Sequence, residues 1–96
     1  MIQKKIREFH KLEKCIACIC AAPLLLLDQG LNKTFAMTCH PSVQAEFPVV
    51  HPEATVRDKH IITSKGAGTA VPFAIAIIEY LLNKEIAQNI ADAICI

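Results

Sequence analysis

An α/β fold is predicted by three features of the sequence. An amphipathic charged segment leads into an almost wholly apolar run, Cys15 to Cys20. A small-residue turn, Ala21-Ala22-Pro23, then delivers the chain into a leucine-rich segment ending at Gly30. Two short β-prone runs finally precede a mostly apolar helical stretch, Val71 to Leu82, that carries Glu79. The resulting order of helix, strand, helix, strand, hairpin and helix belongs to the α/β class. The 96 residues suit one small domain, and 53% apolar against 20% charged residues describes a packed chain rather than a disordered one. No internal repeat or low-complexity linker divides it.

From Gln3 to Leu12, the apolar residues Ile6, Phe9 and Leu12 recur every three positions among charges, which predicts an amphipathic helix. Lys4, Lys5, Arg7, Lys11 and Lys14 are read as its solvated face, and a net charge of +1 carries no field that implies nucleic acid. Cys15 to Cys20 predicts a strand buried on both faces, of the kind found in parallel sheets flanked by helices. Pro23 fits the first turn of the following helix, where its missing N–H costs nothing, and Gly30 stops it. Phe35 to Cys39 predicts a second strand, closed by His40-Pro41. Ser42 to Phe47 fits one or two helical turns.

Ala54 to Arg57 and His60 to Ser64 predict a hairpin about a two-residue Asp58-Lys59 loop. After Thr63-Ser64-Lys65-Gly66-Ala67-Gly68-Thr69 the chain turns helical, with Thr69 as N-cap and Pro72 in the first turn. Phe73, Ile77, Tyr80 and Leu81 share a face, Asn83 is read as a left-handed stop, and a last helix runs from Lys84-Glu85 to Ile94. About four strands are expected. Strands made for burial on both sides then leave an apolar edge open.

Membrane insertion is not expected, since the apolar stretch Cys15 to Leu27 is broken by Pro23 and falls short of the roughly 20 residues a spanning helix needs. The charged opening residues do not read as a secretory signal, so a cytoplasmic setting is expected, with the five cysteines as thiols rather than disulfides. Cys15-x-x-Cys18 with Cys39 and His40 does not read as a zinc site, because strand positions three apart point to opposite faces. No metal ligand is assigned.

Cys20 is the first candidate for chemistry. Strand, sharp turn and helix would put its thiol at a helix N-terminus, where unpaired amides and the helix dipole favour the thiolate. On the residues alone a buried structural thiol is the commoner reading, because cysteine is among the most buried residue types. His40 is open between a capping or core role and a site role. The Gly66-Ala67-Gly68-Thr69 loop is open between an anion cradle and a tight turn that walls the Cys20 pocket.

Three blocks carry a resemblance: Ala17-Cys18-Ile19-Cys20-Ala21-Ala22-Pro23, Thr38-Cys39-His40-Pro41, and the run from Ile61 to Glu85. Their order and spacing resemble the C-terminal half of the ThiJ/PfpI family, in its Parkinson-associated deglycase and glyoxalase III branch. The resemblance implies a flavodoxin-like (class I glutamine amidotransferase-like) three-layer sandwich. Residues 1–96 would form a single partial domain lacking the N-terminal half. It also implies roles: Cys20 as nucleophile, the Ala21 N–H as oxyanion donor, His40 as acid/base or polarising neighbour, and Gly66 and Ala67 walling the pocket. The family's glutamic acid, and a glycine amide of its oxyanion site, have no counterpart in the chain. Ala21 separates it from the branch in which a histidine follows the nucleophile. Lys65 and Ala67 stand where the family usually has arginine and proline, and lysine lacks the planar fork for a bidentate contact.

The activity so implied is cysteine-dependent detoxification of methylglyoxal, glyoxal or early glycation adducts on amines or thiols, with no cofactor and no metal. Implied partners are these small aldehydes or glycated amines, with a homodimer or a complementary N-terminal half as protein partner. No nucleic acid or membrane partner is expected. The alternatives are a redox-sensing or chaperone-like module, one half of a split protein, or a truncated gene product. Cys39 and Cys95 receive no role.

Overall fold

A computed structural model describes Met1–Ile96. Helix α1 (Ile2–Lys11) leads into strand β1 (Ile16–Ile19) and the one-turn helix α2 (Leu24–Leu27), and two 3-10 segments follow at Leu31–Lys33 and Pro41–Glu46. Strands β2 (Thr55–Asp58) and β3 (Ile61–Ser64) form a hairpin, and a 3-10 turn (Ala67–Thr69) opens into α3 (Ala70–Leu81) and α4 (Lys84–Ala93). The three strands make one mixed sheet in the order β1-β3-β2, with β1 parallel and β2 antiparallel to β3. No helix is long and apolar enough to cross a membrane.

Register divides the side chains between two faces. Ile16 pairs with Ile61, and Cys18 with Thr63, which also pairs with Val56, so these five residues line one face. All five are buried there, and Ile16, Cys18 and Ile61 join Ile6, Leu26, Leu31, Phe35, Met37, Cys39 and Phe47 in the main core. Helix α3 covers the other face. It is fixed at Arg57, whose guanidinium lies 5.0 Å from the Tyr80 ring centre and 3.4 Å from Glu79 Oε1. That cover is thin, since no residue of α3 is fully buried.

Several sequence expectations are corrected. Phe35 to Cys39 forms no strand, so the sheet has three strands rather than four. The segment is buried, but its amides go to side chains that project from the sheet's core face. Ala36 N–H donates to Asp58 Oδ2 at 2.8 Å, and Thr38 N–H to Thr63 Oγ1 at 2.9 Å. It therefore lies across the sheet, not in its plane. β1 is buried on one face only: Ile16 and Cys18 are covered, whereas Ala17 is exposed. The α1 stripe is seated at Ile6, with Phe9 and Leu12 left 40% and 63% exposed. The hairpin turns at Lys59-His60, one residue later than expected, with Lys59 taking the left-handed φ of 56°. Asn83 is not a left-handed stop. Its φ is −166°, and its side chain caps α4 by accepting the Ile86 N–H at 2.8 Å. The Thr69 side chain does not cap α3 and instead accepts the Gly66 N–H at the head of the preceding 3-10 turn.

α1 is tied to the sheet by an aromatic cluster. The His10 and His60 rings stack with centres 5.2 Å apart, Nδ1 of His10 lies 3.0 Å from Nε2 of His60, and Phe35 meets both rings edge-on. That contact needs one nitrogen to keep its lone pair. Burial chiefly, and then the His10 ring and Lys59, hold the His60 imidazole below its usual pKa, while Glu13 and Asp58 pull the other way.

A depressed folded-state pKa means that the unfolded chain binds more protons below about pH 6.5, so this stabilisation is present at neutral pH and fades as pH falls through that region. The denaturation midpoint is expected to drop between about pH 7.5 and about pH 5.5, and His60→Gln should flatten that slope. An unchanged slope in the variant would remove the histidine pair as its source.

Candidate functional site

The C-terminal ends of β1 and β3 meet at Cys20. Were β1 to continue, position 20 would face the core as Cys18 does, because side chains two apart share a face. Cys20 instead has φ of 66° and is exposed. A left-handed backbone costs a non-glycine residue about 1–2 kcal/mol, and the surroundings hold it from both sides. Its N–H donates to Ser64 O at 3.0 Å, and its carbonyl accepts the His40 N–H at 2.8 Å. The next bonds of the turn are Ala22 N–H to Ile19 O at 3.1 Å and Leu24 N–H to Ala21 O at 3.1 Å, over a buried Pro23. The Ala21 N–H has no acceptor within the protein.

One part of the sequence argument is corrected. Ala21, Ala22 and Pro23 separate Cys20 from α2, whose four residues form a single turn. A helix so short sums few peptide dipoles, so the local donor at Cys20 is the free Ala21 amide rather than a helix end.

His40 is half-buried and begins the Pro41–Glu46 segment. Its Nδ1 accepts the Ser42 N–H at 3.0 Å and lies 2.8 Å from Ser42 Oγ. With that lone pair engaged, the neutral ring carries its proton on Nε2. The other edge of the ring abuts Gly66: a β-carbon there would lie 3.3 Å from His40 Cδ2, tighter than ordinary contact. Gly66 is needed for this close approach, since its φ of 171° is ordinary extended backbone. The structure thus gathers Cys20, Ala21, His40 and Gly66 around the ends of β1 and β3, while Ala67 is exposed on the loop beyond.

A hydroxyl cluster that the sequence reading passed over holds this loop. Ser64 Oγ lies 2.6 Å from Thr69 Oγ1 and 2.9 Å from Thr55 Oγ1, and donates to Ala54 O at 2.9 Å. Thr69 Oγ1 in turn accepts the Gly66 N–H at 3.1 Å. The available signal was Ser64 and Thr69 flanking two glycines, a spacing that lets hydroxyls replace ladder bonds.

The remaining thiols differ by burial, which pushes Cys15 and Cys39 up and Cys18 to about 11, with Arg57 and Lys65 partly offsetting the rise at Cys15 and Cys39. Cys20 and Cys95 are the exposed thiols. None of the surface concavities includes Cys20, His40 or Gly66, so the thiol stands on an open surface.

The chain is thus an α/β domain with an exposed cysteine in a left-handed bend between strand and helix, beside a histidine and a strand-to-helix glycine loop. The sequence model of the DJ-1/PfpI family matches residues 1–80, and the chain belongs to that family. It is 38% identical over 82 residues to Protein DJ-1alpha of Drosophila melanogaster, a match covering 81% of this chain and 38% of that protein. With Glutathione-independent glyoxalase DJR-1.2 of Caenorhabditis elegans it shares 33% identity, covering 84% of this chain and 45% of the relative. The crystal structure of Drosophila melanogaster DJ-1beta superposes with a TM-score of 0.86 at 32% identity, over 99% of this chain and 53% of that one. Oxidized Toxoplasma gondii DJ-1 gives 0.87 at 30% identity, over 96% and 52%. The chain spans about half the length of these relatives, or less.

Two outcomes follow from this geometry. Brief alkylation of the native protein, mapped by mass spectrometry, is expected to modify Cys20 and Cys95 and to spare Cys18 and Cys39 until the chain is unfolded. Cys20→Gly, which relieves the left-handed backbone, should raise the unfolding free energy by about 1 kcal/mol, and Cys20→Val should lower it, both read from denaturant midpoints.

Proposed function

We propose that residues 1–96 form one partial domain, the cysteine-bearing half of a flavodoxin-like three-layer sandwich, and that Cys20 is the nucleophile of a cofactor-independent glyoxalase or deglycase reaction on small reactive carbonyls. The observation that carries this reading is the exposed, left-handed Cys20 followed by an amide with no acceptor. Two relatives named as glutathione-independent glyoxalases support the substrate class.

With methylglyoxal, the Cys20 thiolate adds to the aldehyde carbon, forming a C–S bond and an oxyanion that the Ala21 N–H can receive. A base moves the proton from that carbon to the neighbouring carbonyl carbon through an enediol, giving a lactoyl thioester. Water then cleaves the C–S bond, releasing lactate and the thiol. His40, whose Nδ1 is occupied by the Ser42 amide, enters as an Nε2–H donor that polarises the carbonyl. To act as a base it must first surrender that bond. No carboxylate of this chain is hydrogen-bonded at Cys20, His40 or Gly66. General acid–base assistance is worth about 10²- to 10⁴-fold, so slow turnover by these residues alone is expected.

A second reading rests on the exposure of the same sulfur. Peroxide would oxidise the Cys20 thiolate to sulfenic and then sulfinic acid, making it a redox-responsive position.

The deciding measurement is methylglyoxal consumption and lactate formation by the chain and by Cys20→Ser. The wild type should be faster by at least about tenfold, a barrier difference of about 1.4 kcal/mol. Equal rates would remove the catalytic reading.

A further inference from the structure

We infer that the free edge of β1, with the apolar hollows on either side of it, is a docking surface for a polypeptide equivalent to the half of the DJ-1 relatives that this chain does not match. This deepens the proposed function by naming a partner, but it rests on the family membership and on the edge itself rather than on the chemistry of Cys20.

In the sheet order β1-β3-β2, one side of β1 has no neighbour. Ile16 and Cys20 direct their N–H groups to His60 O and Ser64 O of the β3 side, at 2.9 and 3.0 Å. Alternation therefore turns the Ala17 and Ile19 N–H groups outward. Edge strands are usually kept very short or guarded by proline, a bulge or an inward charge, and β1 (Ile-Ala-Cys-Ile) is short but carries none of the other three. It reads as an interior strand with a missing neighbour.

Both faces beside this edge are hollow and apolar. On the α3 side a groove of about 530 Å³ is lined by Phe9, Cys15, Ala17, Ile77, Tyr80 and Leu81. On the core side a smaller hollow of about 140 Å³ continues past Phe9 and Cys15 to Ile6 and Ile16. A strand set beside β1 would place alternate side chains into the two hollows. Of the large apolar side chains left exposed, Phe9 and Leu81 line the larger groove.

Length and charge select the occupant. The match to solved relatives covers 50% to 53% of their chains at TM-scores of 0.86 to 0.88, so each of those folds contains a remainder of comparable size. A second copy of this chain fits less well. Lys14 sits 5.6 Å over the Phe9 ring at the groove's rim, so a two-fold contact meeting at that rim would bring like charges together, whereas Lys5 at the smaller hollow is already paired with Glu8 at 3.3 Å. A partner strand with carboxylates at its ends suits that rim.

The test mixes the full chain with the portion of Drosophila melanogaster dj-1beta outside the 85 residues this chain matches. That portion mixed with dj-1beta's own matched part serves as the control. Light scattering should show a one-to-one heterodimer, and amide exchange at Ala17 and Ile19 should slow on mixing. Ala17→Pro removes an outward N–H without taking a donor from β3. Leu81→Lys charges the groove from an exposed position, and both variants should weaken association at least about tenfold, a loss of about 1.4 kcal/mol. Retained association in Cys20→Ser, whatever its turnover, separates this inference from the catalytic one. It is overturned if the control pair assembles and this chain does not. It is also overturned if the chain alone dimerises with Ala17 and Ile19 already protected, or if both variants bind as the wild type does.

Discussion

Two backbone hydrogen bonds at one residue organise the molecule. Through its N–H, Cys20 is tied to the end of β3 at Ser64, and through its carbonyl it is tied to the end of the crossing segment at His40. These bonds compel a left-handed backbone at a residue with a side chain, a conformation that persists only where the surroundings over-determine it. Everything proposed for the site follows from that bend. It turns the sulfur from the core to solvent, frees the amide of Ala21, and brings His40 against Gly66. The core beneath is ordinary by comparison. Its contribution is to hold the ends of β1 and β3 at a fixed spacing.

Much of this was legible in the sequence because the signals were local. The stripe of α1, the apolar run of β1, the hairpin, and the boundary at Gly66-Ala67-Gly68-Thr69 each reflect a periodicity or a turn chemistry that neighbouring residues impose on one another. The bend at Cys20 was legible for the same reason, since an apolar strand ending in small residues and proline leaves few other ways to turn.

What was not legible depended on distant partners. A short apolar segment such as Phe35 to Cys39 reads alike whether it joins a sheet or lies over one. The outcome was decided by Asp58 and Thr63, whose side chains capture its amides. The exposure of Ala17 was likewise hidden, because burial on the second face of a strand needs an element that covers it. Asn83 shows a smaller version of the problem: the same residue type stops one helix or caps the next, and here the Ile86 amide settled which. The helix-dipole argument at Cys20 failed because sequence does not reveal that α2 ends after a single turn.

The pairing of β1 with β3 also has a temporal side. Ile16 faces Ile61, so the only lateral partner of β1 lies more than forty residues later in the chain. A ribosome adding about 5–20 residues per second leaves that strand without its partner for seconds. The β2–β3 hairpin, by contrast, closes over two residues and can form as soon as it emerges. Assembly of the cysteine bend is therefore a late event in the life of the nascent chain, since the carbonyl of Ser64 must arrive before Cys20 can be locked.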